Sequence, residues 1–165
     1  MSVLIRPARE DEATKLLEIQ RVAFLPLYEK YRDDNNPALR GIEDVLDKIR
    51  SETHRYFTIF FNGEIVGGVV YKCPGAAVFD RQLQKGEYYL NRIYIKPELQ
   101  GRKIAQSAIL LCEKEFDGGK TFFVDFPEDL EKNKACYSKA GYTDTGRRIA
   151  IKNGLTLAFY KKTLL

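Results

Sequence analysis

A run with strand character, Glu87 to Ile95, stops at Lys96-Pro97, and a helical run, Gly101 to Phe116, begins after a short polar turn. A second strand-like run, Thr121 to Phe126, follows the Gly118-Gly119 break and is itself stopped by Pro127. A strand, a helix and a strand joined by short links force the two strands to lie parallel, with the helix crossing over one face of the sheet. Few architectures accommodate that unit in a chain of 165 residues, a length that fits one domain spanning residues 1–165.

The rest of the chain supplies antiparallel partners. Val3 to Arg6 reads as a short strand before Pro7, and Glu10 to Phe24 as a helix with Ala13, Leu16, Leu17, Ile19 and Ala23 near helical spacing. The run Glu10-Asp11-Glu12 suits the positive end of that helix. Leu25 to Pro37 reads as a connector, and Ile42 to Ile49 as a second helix. Tyr56–Phe61 and Glu64–Tyr71 flank Asn62-Gly63, a hairpin signal because both central positions of that turn want positive φ. Cys73 to Lys85 reads as a loop, Leu130 to Ala140 as a helix capped by Gly141, and the last segment as a hairpin around Asn153-Gly154. The expected fold is therefore α/β in the α+β sense: a mixed, mostly antiparallel central sheet of about seven strands with helices on both faces.

Composition excludes several functions. With 27 basic and 23 acidic side chains the net charge is +4, and no dense basic block accompanies it, so nucleic acid is not the expected partner. No stretch approaches the ~20 apolar residues that span a bilayer, and the start lacks signal-peptide architecture, so neither a membrane nor export is expected and the protein is placed in the cytoplasm. Cys73, Cys112 and Cys136 are odd in number and widely spaced, which suits reduced, packed thiols. The lone histidine, His54, has no neighbours with ligand spacing and reads as a surface residue before a strand; no metal is expected.

The turn at Gln100–Ala105 is where chemistry is expected. Backbone N–H groups in the first turn of a helix have no helical partner, and with the dipole they attract anions. Gly101 lets a phosphate approach, and Arg102 and Lys103 add positive charge.

The pattern Leu90-x-x-Ile93-x-Ile95-x-Pro97-x-x-Gln100-Gly101-x-x-Ile104-Ala105 resembles motif A of the GNAT superfamily of N-acetyltransferases. Gln100 and Ala105 match the ends of its core, whereas Lys103 stands where the middle glycine is usual. Ala135 to Tyr142 is similar to motif B through Tyr137, Gly141 and Tyr142; the asparagine often seen early in that helix is shifted to Asn133. The resemblance implies acetyl-CoA as co-substrate. Its pantetheine arm would pair with the main chain of Ile93, Tyr94 and Ile95, and its pyrophosphate would rest on the N–H groups of Gly101, Arg102, Lys103, Ile104 and Ala105. Asn133 would reach the pantetheine.

It further implies direct transfer of an acetyl group through a tetrahedral intermediate to a primary amine of a small molecule or peptide. Tyr137 matches the family position that protonates the departing CoA thiolate. The family's strand glutamate aligns with Tyr89, which leaves Glu87 as the nearest carboxylate on that strand face for the base. Tyr28, Glu29, Tyr31, Asp33 and Asp34 could greet a cationic amine, although Asp33-Asp34 reads first as a solvated loop. A non-catalytic acyl-CoA sensor on the same scaffold is the alternative. The final hairpin offers an edge for a homodimer.

Overall fold

A computed structural model describes residues 2–164. The elements are β1 (Val3–Pro7), α1 (Ala13–Tyr31), α2 (Ile42–Arg50), β2 (His54–Phe61), β3 (Glu64–Lys72), β4 (Ala77–Val78), β5 (Arg81–Gln82), β6 (Glu87–Ile95), α3 (Ile104–Glu113), β7 (Thr121–Pro127), α4 (Glu131–Lys139), β8 (Thr143–Lys152) and β9 (Leu155–Thr163). Seven strands form one sheet in the order β1-β2-β3-β6-β7-β9-β8. Only β6 and β7 pair in parallel; the other neighbours are antiparallel. The expected mixed sheet, and the crossover through α3, are both present.

The core has two main layers. Ile104, Ala108, Ile109 and Cys112 of α3 and Tyr137 of α4 pack on one sheet face with Phe57, Ile59, Leu90, Phe122 and Phe126. Ala13, Leu16, Leu17 and Ile19 of α1 and Val45 of α2 pack on the other with Tyr56, Val70 and Tyr94. Side chains of successive strand residues point to opposite faces, so both faces of the central strands can be apolar.

Several boundaries differ from those read in the sequence, each for a local reason. Glu10–Glu12 is a separate 3-10 turn, because the Glu12 carboxylate is drawn inward to Arg6 (2.9 and 2.5 Å), the Arg9 N–H (2.9 Å) and Thr58 (3.0 Å). The connector expected from Leu25 is helical: α1 continues through Pro26 to Tyr31 and ends at Arg32 in the left-handed region. Proline leaves the carbonyl four residues earlier without its helical partner, and here that residue, Val22, is on the exposed side, where water can serve. The loop from Cys73 contains the short hairpin β4–β5. α3 begins at Ile104 and ends at Glu113, shorter at both ends than expected. Asn62 and Gly63 both have positive φ, as that turn demands, whereas at the last hairpin only Gly154 does.

The close approach of β3 to β6 rests on Gly67. A Cβ there would lie 2.0 Å from the Tyr94 carbonyl oxygen, a backbone atom that cannot step aside. Gly67→Ala should therefore cost about 3 kcal/mol, the upper end for overpacking, read as a lower urea midpoint with unchanged m-value.

Candidate functional site

β6 and β7 pair over only four registers, Glu87↔Thr121 to Leu90↔Val124, and then separate. On its other side β6 keeps its pairing with β3 as far as Ile95, with a register shift that inserts Asn91 between Leu90 and Arg92. Such a bulge bends and twists a strand. The bend is fastened by Arg92, which is buried and donates to Gln20 Oε1 (3.1 Å) in α1 and Asp44 Oδ2 (2.9 Å) in α2. Burial pushes the Asp44 carboxyl up, but hydrogen bonds from Lys48 and Arg92 outweigh it and hold it below its usual value.

Beyond the fork, one edge of β6 faces no strand. The Tyr94 carbonyl and the Lys96 N–H both turn toward β3, the latter donating to the Val66 carbonyl (2.8 Å). By strand alternation the N–H and C=O groups of Ile93 and Ile95 face the open edge. The Ile95 carbonyl accepts from Gln100 Nε2 (3.2 Å), which ties the turn to the strand. Tyr94 is different: its main chain faces β3, and its buried hydroxyl meets that of Tyr56 (2.6 Å).

The turn after β6 carries two left-handed residues, Gly101 (φ 82°) and Lys103 (φ 65°). Gly101, Arg102 and Lys103 lie in this turn rather than in α3, with Lys103 at the N-cap. The first helical bond runs from the Ser107 N–H to the Lys103 carbonyl (3.0 Å), so the N–H groups of Lys103 through Gln106 have no partner inside the helix. A Cβ built on Gly101 meets nothing within 4 Å, so the space over the turn is open. Lys103 thus adopts a left-handed backbone conformation that favours glycine. An open, left-handed turn with free amides and two exposed cations fits a pyrophosphate.

Two titratable side chains flank the fork from opposite faces. Tyr137 is buried on the α4 side, its ring stacked on Phe126 at 5.2 Å and edge-on to Tyr142 at 6.1 Å. Burial drives its hydroxyl far above the ordinary tyrosine value, with smaller contributions from Cys136 and Asp125. Asp125, the first residue of β7 past the last paired register, points to the other face. Its Oδ2 is cut off from solvent and has no hydrogen-bond partner. Burial pushes its carboxyl up to about 7, against an opposing pull from Lys72.

Glu87 sits at the closed end of the fork, opposite Thr121. It accepts from Arg81 and from the Gln84 N–H (2.8 Å), and the hydrogen bond from Arg81 is the main reason its carboxyl lies below the usual range. Asn133 is half-buried on α4, one turn before Tyr137. Tyr31 is buried, its hydroxyl donating to Asp129, and Asp33 accepts from the Asn35 N–H (3.1 Å). His54 is not a surface residue ahead of a strand: it opens β2, half-buried, with Nδ1 2.9 Å from Ser51 Oγ.

Asp125, Asn91, Arg92 and Lys72 were not singled out in the sequence. The one signal for Asp125 was a lone carboxylate within the apolar run Thr-Phe-Phe-Val-Asp-Phe. Among the described residues no group of three His, Cys, Asp or Glu side chains could hold a metal, and no helix is long and apolar enough to cross a membrane.

Residues 13–142 match the model of the acetyltransferase (GNAT) family. The chain belongs to that family. Solved GNAT-fold structures resemble it over nearly its whole length. The PaiA N-acetyltransferase of Thermoplasma acidophilum, in complex with coenzyme A, is 17% identical, covers 99% of this chain and 100% of its own, and gives a TM-score of 0.70. AAC(6′)-Ib in complex with ribostamycin and coenzyme A is 14% identical over 99% and 94% of the two chains, with a TM-score of 0.77. The microcin C7 self-immunity acetyltransferase MccE, in complex with acetyl-CoA and AMP, is 20% identical over 98% and 92%, with a TM-score of 0.74. At these identities the likeness concerns the fold. No curated protein matches the chain by sequence.

In this GNAT chain the lysine at position 103 carries a conformational cost of about 1 kcal/mol relative to glycine. Lys103→Gly should raise the melting temperature by a few degrees while weakening CoA binding, as read by calorimetry. A lysine that contributed only shape would leave CoA affinity unchanged.

Proposed function

We propose that this protein is an acetyl-CoA-dependent N-acetyltransferase that moves the acetyl group directly to a primary amine. The observation that carries the reading is the open edge of β6 at Ile93 and Ile95, running straight into the left-handed turn Gly101–Lys103. An extended pantetheine adds to such an edge as a strand would, and the pyrophosphate takes the free amides of the turn. Gln100 holds the turn in register with the strand. Asn133 lies one helical turn from Tyr137 and takes the pantetheine amide.

The proton chemistry is divided between the two faces of the fork. Asp125, buried and poised near neutrality, accepts a proton from the attacking amine. Glu87, held by Arg81 at the closed end, does not take that role. The Ile93 N–H, on the open edge, donates to the oxygen that gains charge during transfer. Tyr137, kept protonated by its apolar surroundings, donates to the departing thiolate. A sensor on the same scaffold would have no use for a buried, unpaired carboxylate at the fork.

The direct test is thiol release from acetyl-CoA in the presence of amines. Tyr137→Phe should lower kcat by roughly 100-fold with little change in CoA affinity. Unchanged turnover would remove the tyrosine from the mechanism.

For Asp125 the base must be ionised, so kcat/KM should rise with pH through about 7, and Asp125→Asn should abolish that limb. The same group predicts stability. Its folded value lies above the unfolded value of 3.8, so the fold favours the neutral acid. That contribution is complete below the unfolded value and is lost as pH rises through about 7. Asp125→Asn should therefore melt higher than the parent at pH 8, with the difference vanishing toward pH 4.

A further inference from the structure

A cleft of about 810 Å³ lies on the α2 side of the sheet, between α2, the start of β2 and the end of β3. That volume suits a small metabolite. Two of its lining residues, Lys72 and the bulge residue Asn91, belong to β3 and β6, and Asn91 directly follows the last residue of β6 paired with β7. Lys72 pairs with Tyr89 and Tyr89 with Phe123, so by strand alternation Lys72 and Asp125 lie on the same face of the sheet, on either side of β6, and the Lys72 charge lowers the Asp125 carboxyl against its burial.

The charges of this cleft are unbalanced. Arg40, Lys48, Lys72 and Arg92 face two carboxylates, Asp44 and Asp47. Asp44 is already shared between Lys48 (2.8 Å) and Arg92 (2.9 Å). Lys72 Nζ donates only to the Ala77 carbonyl (3.1 Å), and Arg40 Nη2 only to Asn35 Oδ1 (3.2 Å). Among the described residues neither forms an ion pair. His54, also in the cleft wall, is driven down to about 4, first by burial and then by Lys48, Lys72 and Arg92. Lys72 itself is lowered, first by burial and then by Lys48.

We infer that the acceptor is an amine that also carries an anionic group, carboxylate or phosphate, which docks between Arg40, Lys48 and Lys72 while its amine reaches Asp125. This rests on the acyl-transfer reading and narrows its substrate. A polyamine or an aminoglycoside would meet like charge throughout the cleft. An anion-bearing amine gains charge-assisted hydrogen bonds from Arg40 and Lys72, which among the described residues form no ion pair, with Lys48 of the Asp44 pair beside them. Positive surroundings also favour loss of the ammonium proton, as they do for Lys72. Transfer stays balanced: the ammonium releases its extra proton to solvent, the neutral amine forms the N–C bond of a tetrahedral intermediate and passes one proton to Asp125, and the C–S bond then breaks as the thiolate takes a proton from Tyr137, both side chains being reset by exchange with water.

The test is a thiol-release assay with acetyl-CoA and paired acceptors. Amino acids are set against the corresponding amino acid amides, and phosphoethanolamine against ethanolamine, with spermidine and an aminoglycoside alongside. The anionic member of at least one pair should exceed its neutral counterpart in kcat/KM by about tenfold or more. Arg40→Met, a change at the half-buried cleft wall between α1 and α2, should raise KM for that acceptor by a similar factor and leave kcat and CoA affinity unaltered.

Equal use of both members, preference for spermidine or the aminoglycoside, or an Arg40→Met protein with unchanged KM would overturn the inference and leave the transferase reading standing. CoA binding with no thiol release on any amine would overturn both.

Discussion

Two parallel strands that pair for four registers and then part set up everything else in this molecule. Backbone N–H and C=O groups in a protein interior are normally paired, so an unpaired strand edge beside the core is costly unless something fills it. The structure holds the edge open from both sides. On one, the Asn91 bulge turns β6 while its pairing with β3 continues. On the other, β7 stays bound to β9 from Thr121 to Pro127. Arg92 then locks the bent strand to α1 and α2 through Gln20 and Asp44, a buried ion pair whose loss of one partner would leave a charge stranded. The open edge is thus a consequence of what each strand is bound to, and in the proposed reading the pantetheine arm is the partner it lacks.

That arrangement explains why the sheet was more legible in the sequence than the site. Turn chemistry and periodicity are local, so the Asn62-Gly63 hairpin, the strand stopped by Pro97 and the crossover through α3 could be read from neighbouring residues. Helix ends depend on what surrounds them: α1 passes Pro26 because the orphaned Val22 carbonyl can face water, which no local pattern announces. Lys103 misled in a different way. Its side chain departs from the motif, but its backbone takes the left-handed conformation open to glycine, at a modest cost.

The carboxylate at the fork shows the limit most clearly. Glu87 was the natural choice while only strand spacing was known, since it shares the β6 face that leads to the fork. The register shows that β6 and β7 are still paired there, and Arg81 and the Gln84 N–H occupy the carboxylate. Asp125 lies on the neighbouring strand, with β6 between it and Lys72 of β3, and the local sequence marks it only as a lone carboxylate in an apolar run. Its raised value comes from burial, a property of the assembled fold, with Lys72 of β3 only partly offsetting it.

The two faces of the fork divide the work by environment. On the α4 side, Tyr137 sits against the rings of Phe126 and Tyr142, and burial keeps its phenol protonated. On the α2 side, the cations of the cleft make the surroundings positive, where a carboxylate can ionise near neutrality despite burial and an ammonium is discouraged. Under the proposed mechanism, a thiolate leaving toward the first face and an amine arriving from the second find opposite proton affinities. The sheet between them keeps the two environments apart, and the gap between β6 and β7 is where they meet.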